Sequence, residues 1–196
     1  ITRLPGVIYA ALVPNVRGME RAIAARADEV NLVMSASESH NRANLRMSCD
    51  ASFHAIKEAA SLAATAGLRV NASLSCSFGC PFEGKVDPAC VMKDAERFVA
   101  LGVRHITLAD TTGVATPLTT RALFKRMALE LPDVQAIAHF HDTRGTGLVN
   151  YVAALEAGVR SFDCAFGGVG GHPVKVKYGG GHTGNVTTED LVDLFE

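Results

Sequence analysis

The stretch Val134-Gln135-Ala136-Ile137-Ala138-His139-Phe140-His141 is a mainly apolar run of strand length that ends in two histidines. Side chains alternate along a strand, so His139 and His141 point to the same face. Two neutral imidazoles at a strand end can hold a divalent metal, particularly where a barrel interior supplies further oxygen ligands. A lone His-x-His motif is weakly specific, and two hydrogen-bonded strand-end histidines are the alternative interpretation.

Six short apolar stretches recur along the chain, and each precedes a turn signal and a helical pattern. Their starts lie 22 to 39 residues apart. This spacing is typical of parallel βα units and not of an antiparallel sandwich. The predicted strands are Val7 to Val13, Glu29 to Met34, Leu68 to Leu74, His105 to Ala109, Val134 to Phe140, and Ser161 to Phe166.

The predicted helices have chemically reasonable ends. Pro88 and Pro117 suit first helical turns, and Gly67, Gly102 and Gly158 suit C-terminal caps. The predicted helices are Arg17 to Ala27, Cys49 to Ala66, Pro88 to Leu101, Pro117 to Leu131, Leu148 to Ala157, and Thr188 to Phe195.

Residues 1–196 are therefore predicted to form one α/β domain, a TIM-type (β/α)8 barrel with about six βα units visible and its N-terminal units missing. His139, Asp110, Asn71 and Ser75 are expected at or near C-terminal strand ends, where barrel active sites form. An open doubly wound sheet is the alternative. However, no Gly-x-Gly-x-x-Gly turn follows the first strand, and the sequence has no Walker-type loop.

Composition points to a protein that acts on small molecules. The 19 basic and 20 acidic residues leave a net charge of -1, which gives no basic footprint for nucleic acid. The apolar runs are of strand length, too short for a membrane span. Five scattered cysteines favour reduced thiols and a cytoplasmic location. Because the chain starts at Ile1, a leader would be invisible, and a mitochondrial location stays open.

Two segments after predicted strands contain candidate site residues. The loop Ser75 to Gly84 contains glycines and could order a substrate or a thioester tail. Its Cys76 and Cys80 are interpreted as packing residues, because no second thiol pair lies nearby to complete a metal site. Asp110 is a candidate base or substrate orienter, and the alternative is that it caps a turn or the following helix.

Two glycine-rich segments follow the last predicted strand. The first, Phe166 to Pro173, suits a mobile lid that carries His172 as a proton donor or acceptor, although His172 is equally interpretable as a surface histidine. In the second, Gly179 to Asp190, Thr187 or Thr188 is expected to cap a helix. Asn185 just before it can offer an amide oxygen to a metal, or be an ordinary turn residue.

Taken together, these motifs resemble the 3-hydroxy-3-methylglutaryl-CoA lyase family of the DRE-TIM metallolyase superfamily. That resemblance implies an eight-stranded barrel whose first strand and helix, and part of the second unit, are absent here. It also implies a homodimer. The matching segments, in family order, are Leu12 to Gly18, Ser35 to Glu38, Ser75 to Gly84, Ala109 to Pro117, His139 to Gly145, the glycine loop through Pro173, and Gly184-Asn185 through Val192.

The resemblance also implies roles for particular residues. His139 and His141 correspond to the two histidine ligands of a Mg²⁺ or Mn²⁺ ion, and Asn185 completes that side. Asp110 falls at the family's active-site aspartate, while Asn71 and the loop from Ser75 fall on segments that approach the acyl-CoA. The family's aspartate ligand and arginine after the first strand have no assignable counterparts.

One departure from the family pattern concerns the lid. The family signature ends Gly-Gly-Cys-Pro, whereas this chain has Gly170-Gly171-His172-Pro173, so His172 replaces the catalytic cysteine. His172 is therefore the candidate for its proton transfer. Lys175 and Lys177 follow, and they could meet CoA phosphates or a substrate carboxylate; solvated loop lysines are the alternative.

The function implied is metal-dependent carbon-carbon cleavage of a 3-hydroxyacyl-CoA, such as 3-hydroxy-3-methylglutaryl-CoA, to acetyl-CoA and acetoacetate. Asp110 or a barrel histidine such as His139 is the candidate base, and His172 the candidate acid. Two alternatives remain: a related acyl-CoA synthase or ketoacid aldolase of the same superfamily, and a non-catalytic barrel that binds acyl-CoA.

Overall fold

A computed structural model describes residues 2–171 and 184–196. Its described residues contain one sheet of six strands that lie side by side in chain order, and every neighbouring pair is parallel. This order is that of a barrel wall, since a doubly wound sheet reverses its strand order. The strands are β1 (Ala10–Val13), β2 (Glu29–Ser35), β3 (Arg69–Ser75), β4 (His105–Asp110), β5 (Gln135–Phe140) and β6 (Ser161–Asp163).

The helices connect successive strands, and their ends follow the predicted chemistry. Pro88 and Pro117 occupy first-turn positions behind the caps Asp87 and Thr116. Gly102 follows α4 with a φ of 88°, a conformation that favours glycine. The helices are α1 (Val16–Ala24), α2 (Glu38–Leu45), α3 (Cys49–Thr65), α4 (Pro88–Ala100), α5 (Pro117–Glu130), α6 (Gly147–Glu156) and α7 (Thr188–Phe195), with a 3-10 turn at Phe166–Gly168.

The structure adds one helix, α2, that the sequence patterns did not predict. Its residues are mostly polar, so it has no apolar stripe for a periodicity argument to detect. The Ser37 side chain caps it by accepting a hydrogen bond from the His40 backbone N–H. The Asn41 side chain is fully buried and accepts from the Ser35 N–H, so polar contacts hold this helix against the sheet.

Two strands are shorter than predicted. β1 begins at Ala10 rather than Val7, and Val7 and Ile8 are about half exposed. β6 ends at Asp163 rather than Phe166, because Ala165 forms an isolated bridge to Thr187 and the 3-10 turn follows directly. The chain thus leaves the sheet after Asp163 and pairs at Ala165 with the segment before α7.

The two faces of the sheet differ in polarity. Leu32, Leu74, Ile106 and Leu108 alternate along the strands on the face that carries the helices, and none has exposed surface. The opposite, inner face carries polar side chains that pair across neighbouring strands. These pairs are Asn31 with Ser73, Asn71 with Thr107, and Gln135 with Ser161. The described part of the chain thus confirms the predicted βα barrel wall of six units.

Among the described residues, no helix combines the length and the apolarity that crossing a bilayer requires.

Candidate active site

The inner-face side chains at the carboxyl ends of the strands meet along one edge, here named the carboxyl rim: Ser75, Ala109, His139 and Asp163. The strand register places Ala109 beside His139, and His139 beside Asp163. Ser75 ends β3, and the Ser77 N–H after it donates to the Ala109 carbonyl at 3.0 Å. Active sites of βα barrels form at this end of the strands.

His139 of β5 and His141, which directly follows that strand, lie together at this end of the sheet. The ring centroids of His139 and His141 are 5.2 Å apart, with 63° between the ring planes. The side chain of His139 is 20% exposed, whereas His141 is almost entirely buried. The predicted convergence of the two imidazoles on one face is therefore present in the structure.

A second segment, Gly184 to Val186, runs alongside the end of β5 and brings Asn185 to the histidines. Asn185 forms an antiparallel bridge with His141. On either side of this bridge, the Asp142 N–H donates to the Gly184 carbonyl at 2.8 Å, and the Val186 N–H donates to the Phe140 carbonyl at 3.3 Å. These backbone hydrogen bonds fix the position of Asn185 relative to both rings.

The glycine-rich segment after β6 orients the Asn185 side chain. Asn185 Nδ2 donates to the Val169 carbonyl at 2.8 Å. Its Oδ1 is buried and accepts no hydrogen bond from the described residues. A Cβ at Gly170 would lie only 2.4 Å from Asn185 Nδ2, so the amide packs directly against a position that only glycine can occupy. The contacts of Nδ2 thus hold the side-chain amide, including this oxygen, in one orientation.

These donors fit a divalent cation. Two imidazoles and one amide oxygen are an appropriate mixed donor set, and a bound cation would give Asn185 Oδ1 the partner that it lacks among the described residues. Within the described chain, no three His, Cys, Asp or Glu side chains are grouped to hold an ion by themselves. His139, His141 and Asn185 would therefore hold the ion with help from further oxygen ligands.

Asp110 lies at the end of β4, but its side chain is engaged by the loop that follows. Its Oδ1 accepts from the Val114 N–H at 2.9 Å, and its Oδ2 accepts from the Ala115 N–H at 3.0 Å. Burial raises its pKa to about 6, against these hydrogen bonds and the favourable charges of His139 and Arg144. The structure therefore shows Asp110 capping the turn that follows β4. Its catalytic role stays a prediction.

Asn71 does not lie near the carboxyl end of its strand, so the expected position was wrong. It is the third residue of β3 and pairs with His105, the first residue of β4. Its Nδ2 donates to Thr107 Oγ1 at 3.0 Å within the inner face. A role for Asn71 in binding the acyl-CoA thus requires the ligand to reach deep into the barrel interior.

The loop from Ser75 to Gly84 folds back on itself at the rim. Cys80 and Gly84 exchange backbone hydrogen bonds of 2.7 and 2.9 Å. Cys76 and Cys80 are both buried, which agrees with the packing interpretation. The Ser37 hydroxyl donates to Cys80 Sγ at 2.9 Å, so this loop is attached to the start of α2.

The candidates His172 and Lys175, and also Lys177, lie outside the described residues. Their roles stay predictions.

Two residues of this region were missed by the sequence reasoning. Asp163 lies beside His139 on the inner face, with its Oδ2 3.4 Å from His139 Nδ1. The buried Tyr151 of α6 donates its hydroxyl proton to the Asp163 carbonyl and accepts from the Phe140 N–H. The available signal for Asp163 was a carboxylate on the predicted strand that neighbours the strand of His139. No motif near Tyr151 indicated its role.

Comparison with known proteins places this geometry in a family. Residues 2–196 match the model of the family described as HMGL-like. The hydroxymethylglutaryl-CoA lyase YngG of Bacillus subtilis is 42% identical, over 100% of this chain and 64% of the relative. An (R)-citramalyl-CoA lyase of Chloroflexus aurantiacus is also 42% identical, over 95% of this chain and 58% of the relative.

A solved structure agrees in fold as well as in sequence. The structure of an HMG-CoA lyase from Acinetobacter baumannii, in complex with coenzyme A and 3-methylmalate, superimposes with a TM-score of 0.91 at 44% identity. The match covers 99% of this chain and 62% of that structure. The chain thus spans about three fifths of the length of the relatives it matches. On sequence and fold together, the chain belongs to the HMGL-like family.

Proposed function

We propose that this chain is part of a lyase that cleaves a 3-hydroxyacyl-CoA to acetyl-CoA and a ketoacid, with 3-hydroxy-3-methylglutaryl-CoA as the substrate to test first. The observation that carries the proposal is the convergence of His139, His141 and Asn185 at the carboxyl rim, with Asn185 Oδ1 left unpaired among the described residues. The HMG-CoA lyases among its relatives support the choice of substrate.

The proposed cofactor is a Mg²⁺ or Mn²⁺ ion held by His139, His141 and Asn185. When bound, such an ion polarises substrate oxygens and acidifies a hydroxyl group. Amide oxygen is a ligand that suits both ions, while the two imidazoles extend the choice to softer metals. The assay below therefore compares the two ions directly.

The reaction needs a base for the substrate hydroxyl. Asp110 is the first candidate, because a pKa of about 6 is well matched to proton transfer near neutral pH. His139 is the second candidate, since its partly exposed ring lies on the rim itself. If His139 binds the ion, the same ring is not free to act as a base, and Asp110 is then preferred.

The reaction also needs an acid at the end. Once the hydroxyl proton leaves, the C2–C3 bond breaks and its electron pair forms the enolate of the thioester. A proton delivered to C2 of that enolate then gives acetyl-CoA, and the other product is acetoacetate. We propose His172 as the donor of this proton, and Ser75 and Lys175 as contacts of the CoA part, on the family resemblance alone.

The first experiment measures release of acetyl-CoA and acetoacetate from 3-hydroxy-3-methylglutaryl-CoA, with Mg²⁺, with Mn²⁺ and with EDTA. His139→Ala and His141→Ala are expected to lose both metal binding and turnover, because each removes one proposed ligand. His54→Ala is the matched control, since His54 is an exposed residue of the outer helix α3 whose Nδ1 forms a hydrogen bond with the Asp50 carbonyl. Turnover that survives EDTA, or that both histidine variants retain, refutes the proposal.

A second substrate is favoured by one specific observation. The (R)-citramalyl-CoA lyase of Chloroflexus aurantiacus is as similar in identity as the Bacillus subtilis enzyme. Citramalyl-CoA is therefore the second compound to assay, and cleavage of it alone would replace the first substrate. A synthase would instead catalyse the condensation, and an aldolase would cleave another ketoacid. A binding-only barrel would bind acyl-CoA without turnover.

The proposed partners are small acyl-CoA molecules and a second copy of the chain, with a cytoplasmic location. The bacterial lyase relative and the CoA-bound structure support the first of these. Light scattering of the purified protein measures its mass and so tests the proposed homodimer. A monomer mass at working concentration would overturn it.

A further inference from the structure

A carboxylate lies beside the first histidine of the site, on the neighbouring strand. The β5–β6 register pairs His139 with Asp163, and both side chains lie on the inner face at the carboxyl rim. Asp163 Oδ2 is 3.4 Å from His139 Nδ1. This separation is longer than that of a charge-assisted hydrogen bond, which the two groups would form on a closer approach.

The backbone that carries this pair is fixed by α6. The Tyr151 hydroxyl bridges the strands, because it donates to the Asp163 carbonyl and accepts from the Phe140 N–H at 3.2 Å. The Tyr151 ring has no exposed surface and packs edge-on against Phe140 and Phe162, at centroid distances of 4.9 and 5.8 Å. The two strands therefore cannot separate locally without breaking these contacts.

We propose that Asp163 is a positioning residue: it accepts a hydrogen bond from His139 Nδ1–H and leaves His139 Nε2 unprotonated and directed into the site. A neutral imidazole carries one proton, and the hydrogen bond made by one ring nitrogen decides which nitrogen is free to bind. This inference rests on the proposed function only in assigning an ion to Nε2.

Competing partners for His139 Nδ1 are few. Among the described residues, Nδ1 has no hydrogen-bond partner. The charge of a second carboxylate, Asp110, also interacts with His139, but each of its two oxygens accepts a backbone N–H, from Val114 and from Ala115. Asp163 remains 45% exposed, so it can approach the ring without losing its hydration.

The first test reads the tautomer of His139 in the metal-free protein by ¹⁵N NMR, with its signal assigned through His139→Gln. The expected state of the wild type carries the proton on Nδ1. Asp163→Ala removes the acceptor and is expected to let the proton move to Nε2 or exchange between the two nitrogens. Asp163→Asn keeps an acceptor oxygen and is expected to retain the Nδ1 proton.

The second test measures Mn²⁺ affinity by electron paramagnetic resonance. Loss of an outer carboxylate of this kind typically weakens metal binding about 10- to 100-fold, so Asp163→Ala is expected to lose affinity in that range. Asp163→Asn is expected to lose less, because it keeps an acceptor oxygen. Asp133→Ala is the matched control, because Asp133 is an exposed carboxylate at the opposite end of β5. Its affinity should equal that of the wild type.

Each outcome has a definite meaning. An Nδ1–H tautomer and an Mn²⁺ affinity that both survive in a folded Asp163→Ala would overturn the inference, as would an Nε2–H tautomer in the wild type. If Asp163→Ala does not fold, the wild-type tautomer alone decides. Because neither readout uses a substrate, a protein that binds Mn²⁺ through this pair but cleaves no acyl-CoA would refute the proposed function alone.

Discussion

Replacing Asp110 with Asn should remove a pH dependence of stability that burial of this carboxyl group creates. Asp110 has no exposed surface, and burial raises its pKa from 3.8 to about 6. Between these two values the folded protein holds a proton that the unfolded chain has released. Stability therefore falls as the pH rises across this window, and it is independent of this group above and below it.

The size of the effect follows from the pKa difference. One pKa unit corresponds to about 1.4 kcal/mol, so the rise from 3.8 to about 6 is worth about 3 kcal/mol in the free energy of unfolding. This stabilisation is fully present below the unfolded-state pKa and is lost as the pH rises through the folded-state pKa. The Asn variant has no proton to release, so its stability lacks this component.

The assay is urea unfolding of the wild type and of Asp110→Asn, in EDTA, at several pH values between about 4 and 7. The wild type should lose about 2 to 3 kcal/mol relative to the variant across this range. The comparison uses only the change with pH, because Asn also alters the hydrogen bonds to Val114 and Ala115. A difference that stays constant, or that grows with pH, would refute the reasoning.

Two further predictions concern residues that support the site. Gly170→Ala should weaken Mn²⁺ binding, since the new Cβ would lie 2.4 Å from Asn185 Nδ2 and the φ of 115° is strained for alanine. Gly167→Ala is the control, because its φ is 59° and no atom lies within 4 Å of the new Cβ. Equal affinities of the two variants would contradict this. Tyr151→Phe should lower the free energy of unfolding by about 1 to 3 kcal/mol, since the Asp163 carbonyl and Phe140 N–H lose their buried partner. Urea unfolding checks this against Tyr9→Phe, a partly exposed control, and losses of equal size would be the contrary result.

Features with a local chemical signal were predictable from the sequence. Pro88 and Pro117 begin their helices, and Thr187 caps α7 by accepting from the Asp190 N–H, because each depends on residues within one turn. The parallel strands were also predictable, since their apolar runs and spacing depend little on distant contacts. Helix α2 was missed, because buried polar contacts rather than an apolar stripe stabilise it.

The site was predictable only in part. His139 and His141 lie together as predicted. Asn185, which is 44 residues further along the chain than His141, pairs with it through a backbone bridge, and metal binding by the three residues stays a prediction. Asn71 was misplaced although the bounds of β3 were predicted to within one residue, because a residue in the middle of that strand was assigned to its carboxyl end. Asp163 was missed because its importance comes from pairing with a neighbouring strand, and no motif in its own segment signals that.

The outer strands of the sheet are its shortest, with four residues in β1 and three in β6, against six or seven in the strands between them. Each of these two strands therefore offers only a few backbone groups to a neighbouring strand. Because strand pairing strengthens with the number of such groups, β1 and β6 hold a neighbour less tightly than the inner strands hold each other. Sequence changes that lengthen β1 or β6 would accordingly strengthen pairing with the strand that lies beside them.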